Sequence, residues 1–246
     1  MAIVRSIGRG AMTVLVINTI IGSAIYGVPS EIIRLVGRAS PLAMILAALA
    51  MAIIMLPIAE VASQFSEPGG MYLYARTAFG RFVGLQVGWF WLLAITGGGA
   101  AGANLFISYL AAFFPSVTHG WSHVLAILLL IAIPMVANYV GVREGLILSI
   151  FLTITKLLPL GLVIVLGLLH LSHGMSFHSP ASIVSPGWNA WLTALLLLIY
   201  SYSGYEDALV PTGEVAQPRR TVPFALGTGL VICALVYTLL QFVIVA

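Results

Sequence analysis

The sequence predicts an all-α membrane protein whose first and sixth membrane-spanning helices are interrupted. The first observation is composition: 61% of the residues are hydrophobic and 7% are charged, whereas soluble domains carry about a quarter charged residues. The second is that two apolar segments each contain a glycine followed seven positions later by a proline, Gly22 with Pro29 and Gly204 with Pro211. Backbone groups that such breaks release inside a bilayer need partners from protein or ligand. The interruptions are therefore candidate functional sites.

Seven segments are long and apolar enough to cross a bilayer, since a spanning helix needs roughly 20 mostly apolar residues. They lie at about 10–36, 41–64, 82–114, 121–140, 145–171, 189–212 and 223–246. The third segment is long enough to be tilted. The apolar run after Arg5 and Arg9 is too long for a signal peptide and contains the first interruption, so it is interpreted as the first spanning helix.

The arginines predict a cytoplasmic N-terminus in an inner or plasma membrane. With this orientation only Arg34 and Arg38 fall outside, and the other arginines fall on the cytoplasmic side. These are Arg5, Arg9, Arg76, Arg81, Arg143, Arg219 and Arg220. The formal net charge of +3 is spread over short loops and does not indicate a nucleic-acid partner. The lipid bilayer is the predicted surrounding.

The histidines and the single cysteine do not indicate a metal, a cofactor or an enzyme. The histidines lie at or near the predicted outer face, and their spacing matches no metal-ligand set, so they are interpreted as polar loop residues. They are His119, His123, His170, His173 and His178. Cys233 lies within the seventh segment. No nucleophile–base pair or phosphate-binding loop is found in the sequence, which therefore predicts no enzyme.

The two interrupted segments are the first and the sixth, which predicts a five-plus-five inverted-repeat transporter fold. With the N-terminus inside, the first helix runs outward and the sixth runs inward, so equivalent helices have opposite directions. The first repeat is predicted at residues 1–172. Residues 173–246 are predicted to start the second repeat with helices six and seven. The fold is incomplete at helices 1–7, and the chain is interpreted as a fragment of a longer protein.

Six motifs in order resemble those of the amino acid–polyamine–organocation permeases, and together they cover essentially the whole chain. They are Gly22-Ser23-Ala24-Ile25-Tyr26-Gly27-Val28-Pro29, Pro68-Gly69-Gly70 with Tyr72, Tyr74 and Phe79-Gly80, Gly141-Val142-Arg143, Lys156-Leu157-Leu158-Pro159-Leu160, Gly204-Tyr205-Glu206, and Gly213-Glu214 with Pro218-Arg219-Arg220-Thr221-Val222-Pro223. The first motif departs from the commoner Gly-Ser-Gly, because Ala24 stands at the second glycine. The resemblance implies a twelve-helix secondary transporter of amino acids or related amines that works by alternating access.

The resemblance also implies that the carboxylate of an amino acid zwitterion binds at the first interruption. Its donors would be the amides of Gly22, Ser23 and Ala24, at the positive dipole end of the outer half of helix one. The alternative is an ordinary kinked helix in which Gly22 and Gly27 only permit close packing.

The substrate ammonium, by the same resemblance, would bind to carbonyl groups at both interruptions. The acceptors would be Ile20 in the first helix and Tyr200 and Ser203 in the sixth. Glu206 follows the second interruption and matches a family position that contacts substrate or relays a proton.

Lys156 is the only lysine of the chain and lies within the apolar fifth segment. A charge at this depth is costly, so such a residue is by default a functional candidate. The resemblance implies that its ammonium replaces the sodium ion that braces helix one in sodium-coupled relatives of this fold. Carrying a coupled proton is a second candidate role, and snorkelling or a structural contact is the alternative.

Two other functions remain open on the sequence alone. A seven-helix receptor or retinal protein fits the helix number, but a retinal protein needs a Schiff-base lysine in the last helix, and residues 223–246 contain none. The second open possibility is a truncated product without transport activity. The sequence predicts neither the particular substrate, nor symport or exchange, nor the oligomeric state.

Overall fold

The computed structural model describes residues 7–140, 142–173 and 186–246. Within these residues ten α-helices form. They are α1 (Arg9–Ile20), α2 (Ala24–Val36), α3 (Ser40–Gln64), α4 (Gly70–Phe79), α5 (Arg81–Leu110), α6 (Gly120–Val140), α7 (Val142–Ser172), α8 (Trp188–Tyr202), α9 (Tyr205–Ala208) and α10 (Pro218–Val245). Short 3-10 helices lie at Gly37–Ala39, Pro115–Thr118 and Val210–Glu214. The described β-structure is one isolated parallel bridge between Ile7 and Val215.

Four helical stretches of the described chain are long and apolar enough to cross a membrane. They are Ala24–Gln64, Arg81–Leu110, Thr153–Ser172 and Pro218–Val245, and Arg9–Ile20 and the Gly120–Val136 part of α6 are shorter apolar stretches. The predicted all-α membrane class is confirmed. Fewer long helices than predicted segments are found partly because segments 10–36 and 189–212 each contain more than one helix.

The helices form two compact units. The first contains the described residues up to Phe90 and those from Ile164 onward. In this unit α10 packs against α3 and α1, and α8 packs against α2 and α3. Its core is built from buried apolar side chains of these helices, such as Met12, Met44 and Leu226.

The second unit is Trp91–Val163 and contains most of α5, all of α6 and the first part of α7. Large apolar side chains such as Phe106, Leu129 and Phe151 are exposed along these helices. Apolar side chains on the outside are the arrangement that a hydrocarbon environment favours.

The end of the sixth segment is held by the loop that precedes α4. The Gly69 amide donates to the Val210 carbonyl at 3.1 Å. Gly213 lies so close to Pro68 that a Cβ at position 213 would be 2.7 Å from the proline Cδ. Ile7 pairs with Val215, the residue directly after the 3-10 helix Val210–Glu214, through the β-bridge described above. Two loops far apart in sequence therefore anchor this end of the segment.

Candidate functional site

The first interruption is a three-residue connection between α1 and α2. α1 ends at Ile20 and α2 begins at Ala24. The Gly22 amide donates to the Ile20 carbonyl at 2.8 Å, which is a tight turn across two residues. Ser23 is exposed and its side chain does not cap α2. In this first turn the Tyr26 amide donates to the Ser23 carbonyl at 3.1 Å, and the start of a helix in general offers backbone amides that can bind an anion.

The second interruption lies between α8 and α9. α8 ends at Tyr202, Ser203 is extended with φ −73° and ψ 176°, and Gly204 has φ 104°. The carbonyl of Tyr200 accepts two hydrogen bonds from Ser203, from its amide at 3.2 Å and from its hydroxyl at 2.6 Å. The side chain of Tyr200 is 55% exposed. A residue with a Cβ is strained at the φ of Gly204, so the turn favours glycine.

The two interruptions touch each other. A Cβ at position 204 would lie 2.5 Å from the carbonyl oxygen of Thr19, the penultimate residue of α1. Only a residue without a side chain permits so close an approach. The structure therefore brings the predicted residues of both interruptions into one region of the first compact unit.

Tyr237 of α10 links the carbonyl ends of the two interrupted segments. Its buried hydroxyl lies 3.0 Å from the Ile20 carbonyl, to which it donates, and 3.4 Å from the Ser201 carbonyl. The Ile20 carbonyl therefore accepts from both Gly22 and Tyr237. Sequence reasoning missed Tyr237, although a tyrosine in an apolar helix is a signal, because its buried hydroxyl needs a hydrogen-bond partner.

The side chain of Glu206 hydrogen-bonds to the backbone of the second interruption in this conformation. Its Oε2 atom accepts a hydrogen bond from the Gly204 amide at 2.7 Å, and its side chain is partly buried. The neighbouring Asp207 is exposed. The carboxylate of Glu206 thus stabilises the non-helical backbone two residues before it.

Lys156 lies on α7 in the second compact unit, and its side chain is partly buried. All the other predicted site residues lie in the first unit. Within the described residues, no group of three or more histidine, cysteine, aspartate or glutamate side chains is arranged to hold a metal ion. His178 lies outside the described residues.

The family model for amino acid permeases matches residues 7–246. The chain belongs to the amino acid permease family. The resemblance predicted from the motifs is thereby confirmed, and the prediction that this is no enzyme is confirmed as well. A match of this extent favours a permease over the seven-helix receptor that the sequence left open.

Several curated transporters are similar to this permease over nearly its whole length. The serine/threonine exchanger SteT of Bacillus subtilis (strain 168) is 29% identical over 241 residues, which are 97% of this chain and 54% of the exchanger. The glutamate/serine transporter AimA of the same organism is 24% identical, over 96% of this chain and 46% of its own length. The vacuolar cationic amino acid transporter 4 of Arabidopsis thaliana is 28% identical, over 93% of this chain and 41% of its own length. The permease chain thus spans about half the length of these relatives.

Proposed function

We propose that this permease moves amino acids or related amines across a membrane by alternating access, and binds the zwitterion where the two interrupted segments meet. The observation that supports this most is the close approach of Gly204 to the Thr19 carbonyl. It joins helix-start amides and helix-end carbonyls in one region, and these groups complement a carboxylate and an ammonium. The relatives named above are an exchanger and transporters of amino acids, which agrees with this substrate class.

The carboxylate is proposed to bind the amides of Ser23 and Ala24, with Gly22 contributing where its turn opens. Ser23 is exposed at the uncapped start of α2, so an anion can reach its amide and hydroxyl together. Ala24 in place of the commoner glycine leaves the amide available.

The ammonium is proposed to compete with internal donors for the carbonyls of Ile20 and Tyr200. In this conformation these carbonyls accept from Tyr237 and from Ser203. Hydrogen bonds from a charged donor are about twice as strong as those between neutral groups. Replacement of these internal donors by the ammonium is therefore favoured at both carbonyls. The carbonyl of Ser203 and the carboxylate of Glu206 complete the proposed acceptor set.

The topology that fits this site is the five-plus-five inverted repeat, with a cytoplasmic N-terminus, repeat 1–172 and a second repeat beginning at 173–246. Its support is that segments 10–36 and 189–212 both contain a helix end near the glycine of their Gly–Pro pair. The arginine distribution supports the orientation. We propose that Lys156 takes the place of a coupling cation in the transport cycle, with a proton as the coupled ion.

The carboxylate site is tested by Ser23→Pro, with Ser23→Ala as the matched control. The φ of Ser23 is −70°, which suits proline, so the substitution removes the amide donor with little backbone strain. Loss of a hydrogen bond to a charged group costs about 1.5–3 kcal/mol, so Ser23→Pro is expected to weaken amino acid binding roughly tenfold or more. Ser23→Ala keeps the amide and is expected to bind more tightly than Ser23→Pro.

The measurement is binding of a panel of labelled amino acids to the purified chain in lipid nanodiscs, followed by uptake into proteoliposomes. The panel includes for each amino acid the amine that lacks its carboxylate, and binding of these amines should be insensitive to Ser23→Pro. Equal affinity of an amino acid for Ser23→Pro and the wild type would contradict the carboxylate site. Absence of binding and uptake for every compound would contradict the proposed function.

A further inference from the structure

A cavity of about 600 Å³ lies between the end of α3 and the start of α10, apart from the interruptions. The end of α3 and the loop after it contribute Ser63, Gln64 and Ser66, and the start of α10 contributes Gln217, Arg219 and Arg220. Tyr237 lies roughly 28 Å further along α10, at 1.5 Å of rise per residue. The cavity is therefore separate from the proposed substrate site.

The cavity lining carries two positive charges and no acidic side chain. Both arginines are exposed. The acidic residues nearest in sequence, Glu60, Glu67 and Glu214, are not among the lining residues. The one ion pair found among the described residues joins Arg34 and Glu31, which do not line the cavity. The two guanidinium groups are thus available to an anion.

The backbone before the two arginines is held in an unusual conformation. Gln217 has φ 51°, the one positive φ of a described residue other than glycine. Its carbonyl accepts from the amides of Arg220 and Thr221, both at 3.0 Å. The Thr221 hydroxyl donates to the Ala216 carbonyl at 2.6 Å. Backbone of this kind costs free energy and is concentrated at functional sites, and here it lies two residues before the consecutive arginines that line the cavity.

The neutral side chains of the lining add further polar groups. Gln64, Ser66 and Gln217 are exposed, and each carries a donor. Ser63 donates its hydroxyl hydrogen to the Glu60 carbonyl at 2.7 Å. Guanidinium groups bind phosphate oxygens bidentately, and cavities of roughly 300–1,000 Å³ hold small ligands or headgroups.

We propose that this cavity is a phosphate-recognition site in which Arg219 and Arg220 bind a phosphate group and Gln64 and Gln217 donate to its remaining oxygens. The phosphate belongs to an anionic phospholipid headgroup or is free in solution. The apolar span Ala24–Gln64 ends at this cavity, and the span Pro218–Val245 begins there. The ends of spanning helices lie at the depth of the lipid headgroups. Basic pockets between spanning helices bind such headgroups.

The experiment compares the wild type with the double variant Arg219→Gln/Arg220→Gln and with Arg81→Gln as the matched control. Arg81 is exposed, starts α5 and does not line the cavity. In one arm the purified chain is placed in nanodiscs of phosphatidylcholine with increasing phosphatidylglycerol. In the other arm it is kept in detergent with inorganic phosphate, or with chloride at equal ionic strength. The thermal unfolding midpoint and lipid retention in native mass spectrometry are measured.

Phosphatidylglycerol or inorganic phosphate is expected to raise the unfolding midpoint of the wild type and of Arg81→Gln. The double variant should need roughly tenfold more of the same anion, because each arginine near a headgroup contributes to affinity. A response confined to the lipid arm identifies a headgroup site, and one confined to the phosphate arm identifies a soluble ligand. Equal responses of the double variant and the wild type, or no response in either arm, would overturn the proposal.

If the double variant does not fold, Arg219→Lys/Arg220→Lys replaces it. This variant keeps both charges and should show an intermediate loss of affinity for the anion.

Discussion

At the scale of single residues, Gly204 has two independent reasons to be glycine. Its φ of 104° is unfavourable for any residue with a Cβ. Its Cα hydrogen also faces the Thr19 carbonyl at a distance that leaves no room for a methyl group. The sequence indicated Gly204 by its spacing from Pro211, but the contact with α1 became visible only in the structure.

Gly204→Ala is expected to destabilise the protein, with Gly227→Ala as control. The left-handed conformation costs roughly 1–2 kcal/mol for alanine, and the contact with Thr19 adds to this. A Cβ at Gly227, in α10, meets nothing within 4 Å, so alanine there should be neutral or stabilising by up to about 1 kcal/mol. Thermal unfolding of the purified variants measures both. A Gly204→Ala protein as stable as Gly227→Ala would show that the two interruptions do not touch.

At the scale of elements, α10 is the helix that holds both halves of the first segment. Tyr237 bonds to the end of α1, and Gln241 Nε2 donates to the Pro29 carbonyl of α2 at 3.3 Å. Gly229 lets α10 approach α1, because a Cβ there would lie 2.5 Å from Val16 Cγ1. Packing against one continuous helix keeps α1 and α2 in place although no helical hydrogen bonds continue between them.

Gly229→Ala is therefore expected to destabilise the protein by about 1–3 kcal/mol, the usual cost of overpacking. Val16→Ala removes the atoms that the new methyl group would meet. The double variant should be more stable than the sum of the two single effects predicts, because the residues are in contact. Unfolding midpoints of the four proteins in this cycle give the coupling. Strictly additive effects would contradict the contact between α1 and α10.

At the scale of the whole molecule, the proposed transport function draws on residues of both compact units. The interruptions lie in the first unit, and Lys156, the only lysine, lies in the second. An ionisable side chain in an apolar helix is costly, and the proposed coupling role is the functional explanation for it. Coupling between ion and substrate is a property of the transport cycle, so it is tested by flux.

Lys156→Ala is expected to reduce sodium-free amino acid uptake at least about tenfold, since a charge proposed to stabilise the substrate-binding state is lost. The pH dependence of uptake should flatten in the same variant. Lys156→Arg keeps the charge and should retain more uptake than Lys156→Ala. Uptake of labelled amino acid into proteoliposomes at several pH values is the measurement. Unchanged flux and an unchanged pH profile in Lys156→Ala would rule out the coupling role.

The sequence predicted the fold further than it predicted the candidate site. Composition and segment length predicted the all-α membrane class, and local motifs predicted the family, because hydropathy and short motifs are properties of neighbouring residues. The helix ends at Ile20 and Tyr202 lie close to Gly22 and Gly204, the glycines that drew attention to these segments. The binding roles of these residues, the repeat boundary and the role of Lys156 stay predictions.

The sequence by itself determined the membrane class and the permease family, since each follows from the chemistry of short stretches of chain. Only the tertiary structure decided which groups meet. The Tyr237 hydroxyl reaches a carbonyl 217 positions away, and the arginines after Gln217 share a cavity with the end of α3. Such contacts depend on how helices pack in space, and a hydropathy pattern specifies which faces are apolar but not which partner covers them.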